Sequence, residues 1–380
     1  MNLHRRVCAT IDMAAIAENL KLLAGKLESD TKLLAVIKAD GYGHGAIPIA
    51  QMSESYGFIW GFGVATIEEA ITLREAGVKK PIMILGFTFP ENYEDLVIND
   101  LIPTIFSYEQ ADKLSIVATQ ANKRVSIHLA VDTGMNRIGF ADEEASVQEI
   151  INISTLPNIL VEGIFSHFAR ADELNHEPTH KQLRRFNEFV EKLVTMGIDI
   201  PLRHASNSAG LLQFPEAHMN IVRAGISIYG LYPSDEMMGL DFKLKPAMTI
   251  TSHITLVKTV ESGEAISYGG TYVTDKKTKV ATVPVGYADG YARSLSNKGY
   301  VLIRGQKAPI LGRICMDQFM VDVSAIDAVA ELDEVVLLGQ SEDEVITMEM
   351  LSETSGRFNY EFACGIAKRV PRVYIGQDGC

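Results

Sequence analysis

A single lysine, Lys38, ends the apolar run Leu33–Ile37 and is followed directly by the glycine-rich segment 39–45. The apolar run predicts a buried strand, so Lys38 lies where a strand meets a loop whose glycines let backbone approach a ligand closely. A primary amine in that place suits a Schiff base with an aldehyde, and the phenol of Tyr42 with nearby backbone suits a phosphate-sized anion. A lysine whose stem packs along the surface before an ordinary glycine turn explains the same pattern equally well.

Eight short apolar runs alternate with helical patterns between Asp12 and about Tyr232. The runs are Leu33–Ile37, Gly61–Ala65, Ile82–Leu85, Ile102–Phe106, Val125–Val131, Val161–Phe165, Arg203–Ala205 and Asn220–Arg223. Eight strand-helix repeats predict an α/β fold with an N-terminal (β/α)8 barrel of the TIM type. The helix Met13–Leu27 is expected to pack outside this barrel, and whether Arg5–Ile11 joins it stays open.

After Tyr232 the pattern changes to strand-like alternation separated by turn residues. The alternating segments are Met248–Val260, Lys279–Val285, Tyr300–Arg304, Phe319–Val323 and Glu334–Leu338, with one helical pattern at Met348–Thr354. We therefore predict two domains, a barrel over residues 1–240 and a mostly-β domain over residues 241–380, joined near Lys243–Pro246.

Composition narrows the class of protein. The chain has 380 residues, 47% of them hydrophobic, and a net charge of −13. That charge argues against nucleic acid or an anionic membrane as partner, and no apolar run is as long as the ~20 residues of a membrane span. The four cysteines are too sparse for a disulfide framework and lack metal-ligand spacing, so we expect reduced thiols, no metal and a cytoplasmic location.

Barrel enzymes carry their chemistry at the carboxyl ends of the strands, so the residues that follow each run are the candidates. They are Lys38, Arg137, His167, Ser208 and Arg223. Taken alone, His167 is more often a core histidine and Arg137 a solvated loop charge, but all five converge on one barrel mouth.

Phosphate sites in this fold commonly use the loops after the seventh and eighth strands. Here those loops offer the hydroxyl of Ser208 and the backbone amides of Gly225 and Ile226. A phosphate-bearing aldehyde joined to Lys38 fits this layout, which points to pyridoxal 5′-phosphate as the cofactor.

Seven segments, in order along nearly the whole chain, resemble the motifs of the alanine racemase family. They are Ala35–Gly45, Ser206–Ala209, Val222–Gly230, Ser267–Tyr272, Val285–Gly290, Gly312–Gln318 and Arg369–Arg372. An ordered set of this kind is far more specific than any one of its members.

The resemblance implies a role for each matching residue. Lys38 would carry the cofactor and serve as one catalytic base, and Tyr268 of the partner subunit would be the base on the opposite face. Arg223 would face the pyridine nitrogen, and Met316 would meet the substrate carboxylate. The residues that would bind the phosphate are Tyr42, Ser208, Gly225 and Ile226. His167 would lie beside the cofactor, and Arg137 would bind the substrate. Tyr287, near Asp317, would narrow the entrance.

Two positions depart from the family pattern. Many members have a lysine, often carbamylated, where this chain has Ala130, so Arg137 must be held by something else, such as a bound anion, or be mobile. Several members have a phosphate-binding tyrosine where this chain has Lys368, which could reach the phosphate or be a surface lysine. Tyr291 and Tyr360 are interpreted as structural.

The resemblance implies a homodimeric enzyme that interconverts L- and D-alanine and supplies D-alanine for peptidoglycan. A serine or broad-specificity amino-acid racemase is the nearest alternative, because a single hydroxyl is poorly excluded by sequence argument. A non-catalytic vitamin B6 carrier is less compatible with a long β-domain, and a barrel-plus-β decarboxylase is not expected to have the motifs around Tyr268 and Met316.

Overall fold

The computed structural model describes residues 4–239 and 242–376. These residues form two compact units. The barrel unit comprises residues 17–41 and 45–245, and the β unit comprises residues 4–16, 42–44 and 246–376. The predicted boundary between Leu240 and Asp241 lies outside the described residues.

The barrel unit contains the eight predicted parallel strands, so the predicted fold class is confirmed. In chain order, strands 1 to 8 are Lys32–Val36, Ile59–Val64, Ile82–Ile84, Ile102–Ile105, Val125–Asp132, Ile159–Phe165, Leu202–His204 and Ile221–Ala224. Consecutive strands are neighbours, and strand 8 pairs with strand 1. The amides of Asn220 and Arg223 donate to the carbonyls of Arg203 and Ser206, which links strands 7 and 8.

The helices of the barrel unit alternate with its strands, as the helical patterns between the apolar runs predicted. They are Ala46–Ser53, Ile67–Glu75, Tyr93–Ile98, Tyr108–Gln120, Glu144–Ser154, Glu177–Thr195 and Ser208–Gln213, while Met13–Ala24 precedes strand 1. Glu177–Thr195 has Pro178 in its first turn, where proline is well tolerated. Ser107 caps Tyr108–Gln120 by accepting from the amide of Gln110.

The segment that follows Lys38 is a left-handed turn. Ala39, Asp40, Gly41 and Tyr42 all have φ between 50° and 61°, a region that is costly for every residue with a Cβ. Hydrogen bonds from Gly41 N to the carbonyl of Ile37 and from Gly45 N to that of Asp40 hold the turn. The sequence predicted a glycine-rich loop here, but not the left-handed conformation of its non-glycine residues.

The β unit is built on a large sheet with one small two-stranded sheet beside it. Its strands are Val7–Asp12, Met248–His253, Leu256–Val260, Ala265–Ile266, Tyr272–Val273, Thr278–Val283, Tyr300–Ile303, Gln306–Leu311, Phe319–Asp322, Glu334–Ser341, Glu344–Ile346 and Arg372–Ile375. The open question about the N-terminal segment is resolved, because Val7–Asp12 pairs with Met248–His253 and Arg372–Ile375 within this sheet.

Several strand predictions for the β unit differ from the structure, and four strands were not predicted at all: Ala265–Ile266, Tyr272–Val273, Glu344–Ile346 and Arg372–Ile375. The single predicted strand Met248–Val260 is two strands, because the amides of Ile254 and Thr255 turn to the carbonyls of Asp333 and Thr282 and the chain changes partner. The strand Gln306–Leu311 was also not predicted, since its Pro309 lowers the strand signal.

The helices of the β unit are Met348–Ser355 and Asn359–Cys364. The first matches the predicted helix Met348–Thr354, and the second was not predicted. Among the described helices, none combines the length and the apolar character needed to cross a membrane.

Candidate active site

Lys38 lies directly after barrel strand 1, at the carboxyl end where barrel chemistry is expected. The carboxylate of Glu69 accepts hydrogen bonds from the amide of Ala39 at 2.6 Å and from the amide of Ala65 at 2.8 Å. Glu69 therefore connects the backbone beside Lys38 to the end of strand 2.

Arg223 is buried on strand 8, which is paired with strand 1. Its Nη1 donates to Nδ1 of His204 at 2.7 Å, and its Nη2 contacts the carbonyls of Ser166 and Ala205 and Nδ1 of His167. Among the described residues, its Nε–H has no acceptor within hydrogen-bond distance. Burial and then the charge of Arg137 lower the pKa of Arg223 to about 9, which leaves it protonated at neutral pH.

His167 follows strand 6 and lies 3.1 Å from Arg223, measured from Nδ1 to Nη2. Burial lowers the pKa of His167 well below its usual range, and the positive charges of Arg223, Arg137 and Lys38 lower it further. The ring is therefore neutral at physiological pH, with its proton on Nε2, because Nδ1 accepts from a group that can only donate. The charges of Lys38, Arg137 and Arg223 thus act on His167 at the barrel mouth, where all four residues were predicted to lie.

The predicted phosphate-binding residues of strands 7 and 8 also lie together. The amide of Gly225 donates to Oγ of Ser208 at 2.9 Å. Because that hydroxyl already accepts a hydrogen bond, its own proton is available for an anion. The Gly225 amide is therefore bonded to Ser208 and would support an anion through that hydroxyl. Ile226 is the next residue of the same turn.

Arg137 is exposed, and it makes no hydrogen bond or ion pair with the rest of the described chain. Its loop is shaped by Asp132, whose Oδ1 accepts from the amides of Gly134 and Asn136. Ala130, the departure from the family pattern, is buried in an apolar cluster with Leu34, Met83, Ile102, Phe165 and Ile221. Alanine thus leaves an apolar wall where many members of the resembled family have a lysine, often carbamylated.

The β unit has a separate pocket of about 640 Å³. Tyr268 and Met316 line it and are 71% and 52% exposed, so their side chains are available to another molecule. The amides of Tyr287 and Ala288 donate to the carbonyls of Cys315 and Met316, which brings Tyr287 beside this pocket. Asp317 also lines the pocket and is paired with Arg369.

Tyr42 and Tyr360 are neighbours in the β unit, with ring centroids 6.0 Å apart. Burial raises the pKa of Tyr42, so it is a neutral phenol that can donate a hydrogen bond. Tyr360 was interpreted as structural, yet it lies beside a predicted cofactor residue. Lys368 is exposed and makes no hydrogen bond or ion pair within residues 4–239 and 242–376.

Sequence reasoning missed two side chains at the base of the site, His204 and Ser166. His204 is fully buried and bound to Arg223, and the hydroxyl of Ser166 lies 2.7 Å from that of Thr133. A histidine that ends an apolar barrel strand was the available signal for His204. Nothing in the pattern marked Ser166 apart from its place before His167.

The donors at the barrel mouth match the chemistry of pyridoxal 5′-phosphate. An amine suits the aldehyde, a hydroxyl with a free proton suits the phosphate, and an arginine with an uncommitted Nε–H suits a ring nitrogen that accepts. Lys38, Ser208 and Arg223 supply these groups from strands 1, 7 and 8. The residues present therefore fit this cofactor.

A (β/α)8 barrel with this lysine and arginine, followed by a β unit that exposes a tyrosine, defines the class of barrel-plus-β-domain pyridoxal phosphate enzymes. Sequence models of the alanine racemase N-terminal and C-terminal domains match residues 11–233 and 247–374. The chain belongs to the alanine racemase family, which consists of isomerases that use pyridoxal 5′-phosphate.

Individual relatives cover nearly the whole chain. "Alanine racemase 1" of Clostridium acetobutylicum is 45% identical over 98% of this chain and 96% of that protein. The structure of alanine racemase from Clostridium difficile 630 has a TM-score of 0.95 at 41% identity, covering 98% of this chain and 97% of its own. That of alanine racemase from Bacillus anthracis, with bound L-Ala-P, has a TM-score of 0.93 at 35% identity, covering 99% and 96%.

Proposed function

We propose that this protein interconverts L-alanine and D-alanine with two catalytic bases, Lys38 of one subunit and Tyr268 of the partner subunit. The observation that carries the proposal is the placement of Lys38 and Arg223 at the carboxyl ends of two paired strands. This placement puts an amine for an aldehyde and a donor-only guanidinium for a ring nitrogen at one mouth. The full-length relatives named above support alanine as substrate.

When bound, pyridoxal 5′-phosphate delocalises the negative charge that develops at the α-carbon of an attached amino acid. Arg223 would orient the ring by donating to its nitrogen without surrendering its own proton. Ser208 would donate its hydroxyl proton to the phosphate, with Gly225 and Ile226 in the same turn, and Tyr42 would donate its phenol proton. His167, neutral and held by Arg223, would lie beside the ring.

Racemisation requires a proton to leave one face of the α-carbon and another to arrive on the opposite face. Lys38 Nζ would remove or return the proton on one face. Tyr268 is 71% exposed in the single chain, so its hydroxyl can serve a neighbouring molecule. We therefore propose a head-to-tail homodimer in which the partner's Tyr268 acts on the second face.

The substrate carboxylate would be bound by Arg137 and by the backbone amide of Met316 from the partner subunit. Arg137 suits this role because it is exposed and has a guanidinium fork that matches a carboxylate. Tyr287 would narrow the entrance beside Met316. As a racemase of free alanine, the enzyme would act in the cytoplasm and supply D-alanine for peptidoglycan.

Loss of optical rotation measured in parallel with L-alanine and L-serine tests the reaction and the substrate. We expect alanine to be racemised faster, because the family matches are alanine racemases. Equal or faster turnover of serine would assign the alternative specificity, and no turnover of either would overturn the proposal.

Isotope exchange tests the two bases. Tyr268→Phe is expected to slow removal of the α-proton from one enantiomer more than from the other, and Lys38→Ala to abolish activity. Tyr300→Phe, in the same unit and away from the pocket, is the matched control. Equal loss of exchange from both enantiomers in Tyr268→Phe would contradict separate bases.

A further inference from the structure

Beneath Arg223, three groups that take no part in the proposed reaction form a column through the barrel interior. Nε2 of His204 lies 2.9 Å from Nδ1 of His128, and Nε2 of His128 lies 3.6 Å from Oε2 of Glu162. The two histidines are completely buried, and the Glu162 side chain is 29% exposed. We call Glu162, His128 and His204 the histidine column.

Donor and acceptor counting fixes every proton in the histidine column. Arginine has no acceptor, so Nδ1 of His204 must accept from Arg223 and the His204 proton must be on Nε2. That proton is donated to Nδ1 of His128, which therefore cannot carry one. The His128 proton is thus on Nε2, directed at the Glu162 carboxylate.

The same counting excludes a charged His128. An imidazolium would need a proton on Nδ1, which would collide with the proton of His204 Nε2. Burial lowers the pKa of His128, although Glu162 opposes this effect, and burial lowers that of His204 well below its usual range. Both rings are therefore neutral, and the column connects the cation Arg223 to the anion Glu162.

A β-bulge in strand 6 brings Glu162 to the lower end of the histidine column. Ile127 pairs with Val161 and His128 pairs with Gly163, so Glu162 is the extra residue of a β-bulge. In a regular strand the Glu162 side chain would point to the face opposite that of residues 163 and 165, because successive side chains alternate. A bulge changes the direction of one side chain, and here the Glu162 carboxylate faces His128. A Cβ on Gly163 would lie 2.5 Å from the His128 ring, so glycine leaves the space that the ring fills.

The facing atoms at the lower end of the column are otherwise unsatisfied. Nε2 of His128 and Oε2 of Glu162 are buried, neither has a hydrogen-bond partner among the described residues, and the two atoms face each other at 3.6 Å. No carboxylate contacts Arg223 among the described residues. A buried guanidinium is costly without a connected anion, and Glu162 is the anion that this column connects to it.

We propose that His128 and Glu162 are positioning residues: they hold the His204 ring in place beside Arg223 and thereby aim the unused donors of Arg223 at its ligand. The identity of that ligand, the ring nitrogen of pyridoxal 5′-phosphate, rests on the proposed function. Neither residue touches the cofactor or the substrate in this assignment.

The proton order is measurable in the protein without cofactor. Correlation spectra of ¹⁵N-labelled histidine rings report which nitrogen carries the proton, and His204→Gln identifies the His204 signals among the nine histidines. We expect wild-type His204 to be protonated on Nε2 alone. His128→Asn and Glu162→Gln keep an acceptor in the same place and should preserve this tautomer and the hydrogen bond of its Nε2–H.

Two variants remove the acceptors. In His128→Leu the His204 Nε2–H loses its acceptor, while Arg223 still keeps Nδ1 of His204 unprotonated. The Nε2 proton resonance should therefore move upfield and exchange faster with solvent, and the ring is no longer held against Arg223. Affinity for pyridoxal 5′-phosphate, measured by equilibrium dialysis, should then fall about tenfold or more, since a buried donor is left unpaired. Glu162→Leu, at the partly exposed end, should change the His204 Nε2–H signal and the affinity in the same direction by less.

An unchanged His204 Nε2–H signal in His128→Leu would overturn the positioning role, as would loss of that hydrogen bond with unchanged cofactor affinity. Recovery of affinity in His128→Asn relative to His128→Leu would support it, because general damage to the core would not be relieved by an acceptor. A wild-type protein that binds no pyridoxal 5′-phosphate would contradict the proposed function instead, while the apoprotein spectra would still decide the proton order.

Discussion

At the scale of single residues, the side chains with the fewest hydrogen-bonding options determine the state of their neighbours. Arg223 can only donate, so His204 and His167 must present an unprotonated Nδ1 to it. The pKa of His167 is lowered because its ring is buried among positive charges. Charge and tautomer at the barrel mouth therefore follow from one arginine.

Asp289 is a second residue whose surroundings fix its charge. It is buried in the β unit and accepts hydrogen bonds from Arg6, Arg369 and the amide of Gly286. Burial alone would raise the pKa of Asp289, but these hydrogen bonds outweigh it and lower the pKa to about 2. Since its pKa is lower in the folded than in the unfolded chain, its stabilising effect is full above about pH 4 and is lost as the pH falls toward 2.

Asp289→Asn is therefore expected to destabilise the protein at neutral pH by about 1 to 2 kcal/mol, a range reduced because both arginines are partly exposed. The difference from wild type should shrink as the pH approaches 2. Urea unfolding midpoints at a series of pH values measure it. The control is Asp343→Asn, at an exposed carboxylate without hydrogen bonds in the described structure; a pH-independent effect of Asp289→Asn would contradict the assignment.

At the scale of elements, the left-handed turn after Lys38 departs from regular helix geometry. Its residues are held by hydrogen bonds at both ends and by the Glu69 carboxylate, which uses one oxygen for Ala39 and the other for Ala65. Glutamine has only one acceptor oxygen, so it can satisfy one of these amides.

We expect Glu69→Gln to lower the free energy of unfolding by about 1 to 2 kcal/mol, because one backbone donor loses a charge-assisted hydrogen bond. Thermal unfolding followed by circular dichroism measures the change. The adjacent, exposed Glu68 provides the matched variant Glu68→Gln, which should change stability by less than about 0.5 kcal/mol. Equal effects of the two substitutions would show that Glu69 does not hold the turn.

Gly43 is glycine for a steric reason as well as a conformational one. Its φ is +80°, and a Cβ there would lie 2.4 Å from the carbonyl oxygen of Ala363. Gly356, in the same unit, has φ +71° and open space around it. Its alanine variant thus measures the conformational cost alone.

Gly356→Ala should cost about 1 kcal/mol, the usual penalty for a side chain in the left-handed region. Gly43→Ala should cost about 2 kcal/mol more, because backbone must move to relieve the overlap. Chemical denaturation of the two variants gives the comparison. Similar losses in both would mean that the contact with Ala363 is not what requires glycine.

At the scale of the whole molecule, the proposed active site needs two chains. Lys38 is in the barrel unit, while Tyr268 and Met316 line an exposed pocket of the β unit. Lys38→Ala and Tyr268→Ala each remove one side of every site in a homodimer. A mixed dimer, however, has one site with both residues intact.

Mixing equal amounts of these two inactive variants, with subunit exchange, should restore about one quarter of the wild-type activity, since half of the dimers are mixed and half of their sites are intact. Activity of the mixture and of each parent is assayed after mild dissociation and reassociation. A mixture no more active than its parents, despite mixed dimers seen by mass spectrometry, would contradict a shared site.

Much of the architecture was predictable because local patterns are strong in this chain. Continuous apolar runs mark strands buried on both faces, so all eight barrel strands were found. The chain's switch of partner between Met248–His253 and Leu256–Val260 was not predictable, because both sections alternate alike. Pro309 lowered the strand signal of Gln306–Leu311, so that strand was not predicted. The pairing of Val7–Asp12 depends on residues more than 200 positions away.

The site shows the same division. The types and order of Lys38, His167, Ser208 and Arg223 indicated their positions at strand ends from the sequence alone, because strand ends in a barrel meet at one mouth. The histidine column, the bulge at Glu162 and the proximity of Tyr42 to Tyr360 were decided by tertiary structure. Proton positions and steric fit depend on which atoms lie within about 3 Å, and residues far apart in the chain acquire such distances only when it folds.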